Sequence, residues 1–123
     1  MDQWNNTDYL SLSTRKKDGS HVDTPVWYAR EDNTFYCFSA GNAGKVKRIR
    51  NFTDVKICPC TVTGKITGEW EGAEAEILTR DEIHLAHRAL KRQYGWKMAL
   101  MDILSTFGNK KAKRAYLRIR PTQ

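Results

Sequence analysis

The sequence predicts a mainly β fold with added helices, of the α+β class, in which antiparallel strands close into a small barrel. Five consecutive segments have strand patterns, and turn residues separate them. One short helical pattern lies among these strands, and a longer helical region follows them before the alternating tail KRAYLRIR. A returning strand of this kind can close a sheet and protect its edges. The 123 residues have room for one domain, which we expect to span residues 1–123.

The first two strands are predicted from period-two alternation. In DYLSLST, Leu10 and Leu12 alternate with serines, and Asp18-Gly19 then marks a tight turn. The next segment, HVDTPVWYA, places four alternating residues on one face: Val22, Thr24, Val26 and Tyr28. Its other face includes Pro25. Because proline has no N–H to donate, we expect its side of the strand to lie at an edge, a bulge or a ligand.

Three further strands are predicted before residue 79. TFYCFSA is rich in aromatic residues, which suit a pleated sheet. DVKICPCTV and KITGEWEGAEAEIL are interpreted as two strands joined by a turn at Thr63-Gly64. In the C-terminal segment, the alternating residues that share a face are Ala115, Leu117 and Ile119.

Two regions have helical periodicity. Residues 44–52 carry a single apolar stripe that begins at Val46 and Ile49. Residues 79–82, TRDE, have the form of a capping box, and an apolar helix face continues from it through Ile83, Ala86, Leu90 and Tyr94. Gly95 is expected to interrupt this helix, and residues 96–107 predict a second amphipathic helix.

Composition restricts the class of partner. The net charge of +7 at pH 7 favours an anionic partner, which could be nucleic acid, a membrane surface or a phosphorylated cofactor. The N-terminus lacks the pattern of a signal peptide, and no apolar run approaches the roughly 20 residues that span a bilayer, so we expect a cytoplasmic protein. The three cysteines, Cys37, Cys58 and Cys60, are expected to be reduced, buried thiols.

The segment AGNAGKVKRIRNF, residues 40–52, predicts an anion site. A glycine-rich turn that leads from a strand into a helix leaves backbone N–H groups free at the positive end of the helix dipole. Asn42 or Gly44 could serve as the helix cap. Helical spacing puts Lys45 and Arg48 on one face and two further cations on another, so only one pair need bind the anion. A solvated helix face is the alternative interpretation.

Three motifs in order, DGSHVDTPVWYA, FYCFSAGNAGKVKRIRNF and CPCTVTGKITGEWEGAEAEIL, resemble the flavin and deazaflavin oxidoreductases related to pyridoxamine 5'-phosphate oxidase. The resemblance covers residues 8–78. It implies a split β-barrel homodimer of the FMN-binding split-barrel type, with FMN or the deazaflavin coenzyme F420 in each of two clefts between subunits. A small conjugated organic molecule would exchange a hydride with this cofactor.

The resemblance also implies roles for individual residues. Those expected to lie along the cofactor ring are Thr24, Pro25, Val26 and Trp27, and those expected to hold the phosphate are Ser39, Lys45 and Arg48. The strand around Trp70 would approach the cofactor of the neighbouring subunit. The cations that pyridoxamine phosphate oxidases carry on the second strand are absent, since Thr24 and Ala29 stand there, and this disfavours oxidation of pyridoxamine phosphate.

No catalytic side chain is predicted, because the cofactor performs hydride transfer while the protein positions it. His84 and His87 are three residues apart on a helix without a third ligand, so we expect surface histidines and no metal site. One alternative is a non-catalytic flavin- or haem-binding protein of the same fold. A second is a basic barrel that binds single-stranded nucleic acid through KVKRIR and KKAKR, but neither nucleic acid nor a membrane is the expected partner.

Overall fold

The computed structural model describes residues 3–4, 7, 9–41, 43–94 and 114–122. Within them lie six strands: β1 Tyr9–Arg15, β2 His21–Glu31, β3 Thr34–Ala40, β4 Asp54–Cys60, β5 Glu71–Ile77 and β6 Arg114–Pro121. Two α-helices accompany the strands, α1 Gly44–Asn51 and α2 Ile83–Tyr94. The helix predicted at 96–107 lies outside the described residues. None of the helices described is long and apolar enough to cross a bilayer.

The six strands form a closed antiparallel barrel in the order β1-β2-β3-β6-β5-β4. β6 pairs with both β3 and β5, so the C-terminal strand completes the closure that the sequence predicts. The predicted fold class, mainly β with helices in a split barrel, is confirmed.

The split lies along β2, which is long enough to pair with different strands in its two halves. Residues 21–27 pair with β1, whereas the ladder to β3 covers only residues 28–31. Pro25 faces Ser11 of β1 and precedes the ladder with β3, so it stands at an open edge of the strand. Of the three predicted alternatives, an edge, a bulge or a ligand, the pairing among the described residues supports the edge.

The β4–β5 connection differs from the prediction. The turn at Gly64 is present with φ of 94°, but β5 begins at Glu71, so the prediction of a strand from Lys65 onward is wrong for its first six residues. The hairpin pairs Cys60 with Ile66 and then bulges. Gly68 lies so close to β4 that a Cβ there would be 2.9 Å from Pro59 Cγ, and this close approach interrupts the ladder.

The barrel interior contains the main apolar core. Leu10 and Leu12 of β1 are fully buried, as their alternation predicts, and Ile57 of β4 is fully buried as well. Trp4 closes one end of the barrel by packing against Tyr28 and Phe35, and α1 closes the other end with Val46 and Ile49. Fully burying an aliphatic side chain of this size contributes about 1.5 to 3 kcal/mol.

A second apolar cluster lies outside the barrel, under α2. Ala86 and Leu90 of the helix pack over Tyr36 and Tyr116 of the sheet, as the helical spacing predicts. The capping residues are those expected: the Glu82 carboxylate accepts hydrogen bonds from the Thr79 N–H and hydroxyl. The helix begins with a 3-10 turn at Arg80–Glu82. All three cysteines are free and buried, as predicted.

Candidate functional site

The candidate site is the end of the barrel that α1 covers. Val46 and Ile49 are three residues apart, so they share the helix face that enters the core. β3 ends at Ala40 and α1 begins four residues later, which places the N-terminus of the helix beside the end of a barrel strand. The turn between Ala40 and Gly44 therefore determines the direction in which the helix N-terminus points.

The N-cap of α1 is Ala43, so the prediction that Asn42 or Gly44 caps the helix is wrong for Gly44, which is the first helical residue. Asn42 itself lies outside the described residues. The carbonyl of Ala43 accepts hydrogen bonds from the N–H groups of Val46 (3.1 Å) and Lys47 (3.3 Å), and none of the described side chains caps the helix. The N–H groups of Gly44 and Lys45 come before the first intrahelical donor and can bind an anion.

Arg48 lies back over the first turn of the helix. Its Nε donates a hydrogen bond to Thr14 Oγ1 at 2.6 Å. Its Nη1 would be only 2.8 Å from a Cβ placed on Gly44. Helical side chains lean toward the N-terminus, so the residue four positions along naturally covers Gly44. The guanidinium is thereby held beside the two backbone N–H groups.

Lys45 adds a second positive charge at the same place. Its side chain is half-buried, and its pKa is lowered, first by burial and second by the charge of Arg48. Burial raises the pKa of the Cys37 thiol beside it, so this cysteine is neutral. Among the described residues, no carboxylate forms an ion pair with Lys45 or Arg48. Two close cations without an acidic partner favour binding of an anion.

The other two cations of the helix are arranged differently. Lys47 and Arg50 are exposed, whereas Lys45 and Arg48 are partly covered. Helical spacing and side-chain exposure therefore divide the four cations into the same two pairs. Lys47 and Arg50 provide a matched control for Lys45 and Arg48.

The remaining predicted phosphate residue lies near these cations. Ser39 is buried on β3, two residues beyond Cys37 in the row that faces the barrel interior. Ser39 precedes the turn into α1 and is thus on the same side of the barrel as the helix N-terminus.

The four predicted ring residues follow the open half of β2. Val26 is buried toward the interior, and Thr24 is half-buried. Pro25 is exposed, and its Cγ would be 3.8 Å from a Cβ on Gly64. Trp27 is half-buried, packs against the cluster under α2 and lies 6.0 Å from the Tyr9 ring centroid. The four residues share one strand edge, next to the split.

Trp70 belongs to another part of the molecule. It is 40% exposed and follows Glu69, whose backbone N–H and carbonyl both hydrogen-bond with the side-chain amide of Gln3. Gln3 precedes Trp4, so this contact is at the barrel end opposite α1. Val62 and Ile66 of the same hairpin are 62% and 39% exposed. The hairpin therefore presents an apolar surface at the barrel end opposite Lys45 and Arg48.

The sequence analysis missed a polar cluster around Tyr116. His87 Nε2 lies 2.5 Å from the Tyr116 hydroxyl, to which Arg114 donates at 3.3 Å. The Arg114 guanidinium stacks on Phe38 at 4.7 Å. The predicted surface exposure of His84 and His87 is confirmed, and the described residues contain no group of His, Cys, Asp or Glu able to hold a metal ion. The alternation of β6 places Tyr116 on its outward face, but nothing in it indicates the helical partner.

Known structures share this fold at low sequence identity. HutZ, a heme storage protein from Vibrio cholerae, superposes with a TM-score of 0.69 at 16% identity, over 96% of this chain and 84% of its own. A proposed pyridoxamine 5'-phosphate oxidase from Listeria innocua gives 0.60 at 13% identity, over 94% and 85% of the two chains. An F420 reductase gives 0.58 at 15% identity, over 94% and 86%.

These similarities establish a split-barrel fold that other proteins use for different cofactors. No protein-family model matches the chain, and no match was found among curated proteins. The choice between the uses of the fold therefore depends on the chemistry of the site itself.

Proposed function

We propose that this protein binds FMN or coenzyme F420 as a homodimer and transfers a hydride between that cofactor and a small conjugated organic substrate. The observation that carries this proposal is the pair Lys45 and Arg48. Both lie at a glycine-led helix N-terminus, and no acidic partner is found for them in the part of the chain that the structure describes. A phosphate is the chemical group that such a combination of N–H groups and cations binds best.

In this proposal, the phosphate is held by the N–H groups of Gly44 and Lys45, the two cationic side chains and the hydroxyl of Ser39. Charge-assisted hydrogen bonds contribute about 1.5 to 3 kcal/mol each, whereas the helix dipole contributes about 0.3 to 1 kcal/mol, so the side chains dominate the affinity. The open edge of β2, residues 24–27, supports the ring system. The bound cofactor would supply the hydride chemistry, while the chain orients it and limits access of water.

The homodimer is proposed from the β4–β5 hairpin. Val62, Ile66 and Trp70 are the exposed large apolar residues of the described chain, and all three belong to this hairpin. Tryptophan is among the residues that contribute most at protein interfaces. In the proposed dimer, Trp70 approaches the cofactor of the partner subunit, so the site is complete only when two chains associate.

Cofactor binding is tested on purified protein by its absorption spectrum and by titration with FMN and F420 in parallel. The proposal expects one of them to bind with a Kd of about 1 μM or lower, which corresponds to about 8 kcal/mol. Failure of both to bind would overturn it. A haem spectrum without flavin binding would favour a haem-binding protein, for which HutZ offers a precedent in the same fold.

Catalysis is tested separately. The cofactor that binds is reduced, and its reoxidation is followed against a panel of conjugated carbonyl, nitro and quinone compounds. Reoxidation that depends on the acceptor supports an oxidoreductase. Tight binding without any acceptor-dependent turnover would instead favour a cofactor-carrying protein. Strong, salt-dependent binding to single-stranded nucleic acid would favour the basic-barrel alternative.

A further inference from the structure

We propose that Thr14 is a positioning residue of the phosphate site, and that its hydroxyl holds the Arg48 guanidinium over Gly44 before any ligand arrives. This inference rests on the proposed function and extends it to a residue of β1 that lies 34 positions away from Arg48 in sequence. The ligand chemistry concerned is a phosphate ester attached to a three-ring system.

The direction of the hydrogen bonds supports this role. Thr14 is completely buried at the end of β1, and its hydroxyl donates to the carbonyl of Val22 at 3.4 Å. The hydroxyl hydrogen therefore points toward β2, and the oxygen keeps lone pairs for the Nε–H of Arg48, at 2.6 Å. A bond this short from a cationic donor is of the strong, charge-assisted kind. The inner wall of the barrel thus fixes one edge of the guanidinium.

Gly44 leaves the space that the opposite edge of the guanidinium occupies. A Cβ at this position would be 2.8 Å from Nη1, 3.6 Å from Cζ and 3.7 Å from Nη2 of Arg48. The guanidinium therefore occupies the space that any larger residue would fill. Its Nε bonds to Thr14, and its Nη groups have no hydrogen-bonding partner among the residues that the structure describes. These N–H groups are the ones that can bind two oxygens of a phosphate in parallel.

Such an arrangement favours binding because the cost of ordering the side chain is met when the protein folds. A free arginine loses up to about 2 kcal/mol of side-chain entropy when it is immobilised. An arginine already held by Thr14 loses less of it on binding, and the difference appears as affinity. A purely structural link between β1 and α1 would stabilise the fold without altering the preference for phosphorylated ligands.

A positioning role and a purely structural role of Thr14 are distinguished by comparing the binding of FMN with that of riboflavin, which lacks the phosphate. The Thr14→Val variant keeps the shape of the side chain and removes the acceptor, whereas Thr14→Ser keeps the hydroxyl. We expect Thr14→Val to weaken FMN binding about tenfold, equivalent to about 1.4 kcal/mol, and to leave riboflavin binding unchanged. Thr14→Ser should restore most of the FMN affinity. Ser13→Ala, which removes a neighbouring buried hydroxyl on β1, is the control and should bind both ligands as the wild type does.

Gly44→Ala approaches the same contact from the helix. Alanine at a helical position is intrinsically favoured over glycine by about 1 kcal/mol, so this variant should not unfold. Its Cβ displaces the guanidinium, and we expect FMN affinity to fall while the thermal midpoint is maintained or rises. F420 is titrated beside FMN, so that the experiment also distinguishes the two sources of the phosphate ester.

Two results would overturn the inference: an unchanged ratio of FMN to riboflavin affinity in Thr14→Val, whether or not both affinities fall, or no rescue by serine. If wild-type protein binds neither FMN nor F420, the proposed function fails instead. The role of Thr14 is then decided with inorganic phosphate and the Nε–H resonance of Arg48. A resonance protected from exchange in the wild type and exposed in Thr14→Val supports the positioning role, and an equally exchanging resonance in both contradicts it.

Discussion

The two ends of the barrel are closed in opposite ways. At one end, Trp4 places its ring 5.5 Å from Tyr28 and 4.8 Å from Phe35, its Nε1 donates to Glu71 at 2.8 Å, and its carbonyl accepts from the Tyr28 hydroxyl at 3.1 Å. At the other end, α1 inserts Val46 and Ile49 into the core but leaves two cations at its N-terminus.

This difference separates the barrel end that contributes most to stability from the end that carries the proposed site. Aromatic packing and satisfied hydrogen bonds stabilise the Trp4 end. At the α1 end, the pKa of Lys45 is lowered by burial and by Arg48, which means that the folded protein disfavours the charge it carries. A bound anion would relieve both effects. The apolar half of α1 contributes to stability, and its first turn carries the proposed phosphate site.

The largest expected effect is a loss of stability at the Trp4 end. Trp4→Ala removes a buried aromatic side chain and should lower the free energy of unfolding by about 3 to 5 kcal/mol, the usual cost of such a cavity. Urea unfolding measures the change. The ratio of FMN to riboflavin affinity should stay as in the wild type, and a selective loss of FMN binding in this variant would contradict the separation of the two ends.

The next effect concerns binding at the α1 end. Changing both Lys45 and Arg48 to Ala should weaken FMN binding by about 2 to 5 kcal/mol, because two charge-assisted contacts are lost. Isothermal titration measures this, with circular dichroism to establish that the fold is intact. The matched control changes Lys47 and Arg50 to Ala; these side chains are exposed, so affinity should change little. Equal losses in both double variants would indicate general attraction by positive charge rather than a specific site.

A smaller effect is expected from the hairpin near the Trp4 end. Trp70→Ala should raise the dissociation constant of the homodimer at least about thirtyfold, since an interface tryptophan is often worth about 2 kcal/mol. Analytical ultracentrifugation gives the constant directly. Lys65→Ala changes an exposed polar residue of the same hairpin without removing apolar surface and serves as the control. A wild-type protein that remains monomeric at all concentrations would refute the proposed dimer.

The smallest effect is a pH dependence that belongs to the α1 end alone. The pKa of Lys45 lies below its ordinary value of 10.5 in the folded protein. Between the lowered pKa of the folded protein and the ordinary value of 10.5, the unfolded chain binds more protons at Lys45 than the folded one. The stability of the protein without ligand therefore rises with pH in that interval. Phosphate binding requires the charged amine, so the preference for FMN over riboflavin should decline as pH rises through the lowered pKa. Titrations at several alkaline pH values test this, and Lys45→Met should abolish the decline.

The sequence predicts the buried faces of the strands and of α1 better than it predicts the contacts that complete the site. Alternation and helical spacing are local properties, so they correctly place Leu10 and Leu12 inside the barrel and Val46 and Ile49 on the buried face of α1. They also predict that the C-terminal segment returns to the sheet. The same local patterns put the cations of α1 at a glycine-rich turn, which is why the anion site can be proposed before the fold is known.

The contacts that complete the site are not local. Thr14 and Arg48 meet only because β1 and α1 share one end of the barrel, and neither residue has a sequence pattern that indicates the other. The prediction of where β5 begins is wrong for a related reason. The bulge before this strand depends on the packing of Gly68 against Pro59, which is distant in sequence. The N-cap is Ala43 because its backbone carbonyl is sufficient, whereas side-chain preferences favour a polar cap.

The most direct test of the α1 end as a phosphate site is a crystal structure of the protein soaked with FMN. The account predicts phosphate oxygens within about 2.7 to 3.2 Å of the Gly44 or Lys45 N–H and of the Arg48 Nη groups, with Arg48 still bonded to Thr14. FMN bound with its phosphate away from the first turn of α1 would contradict it.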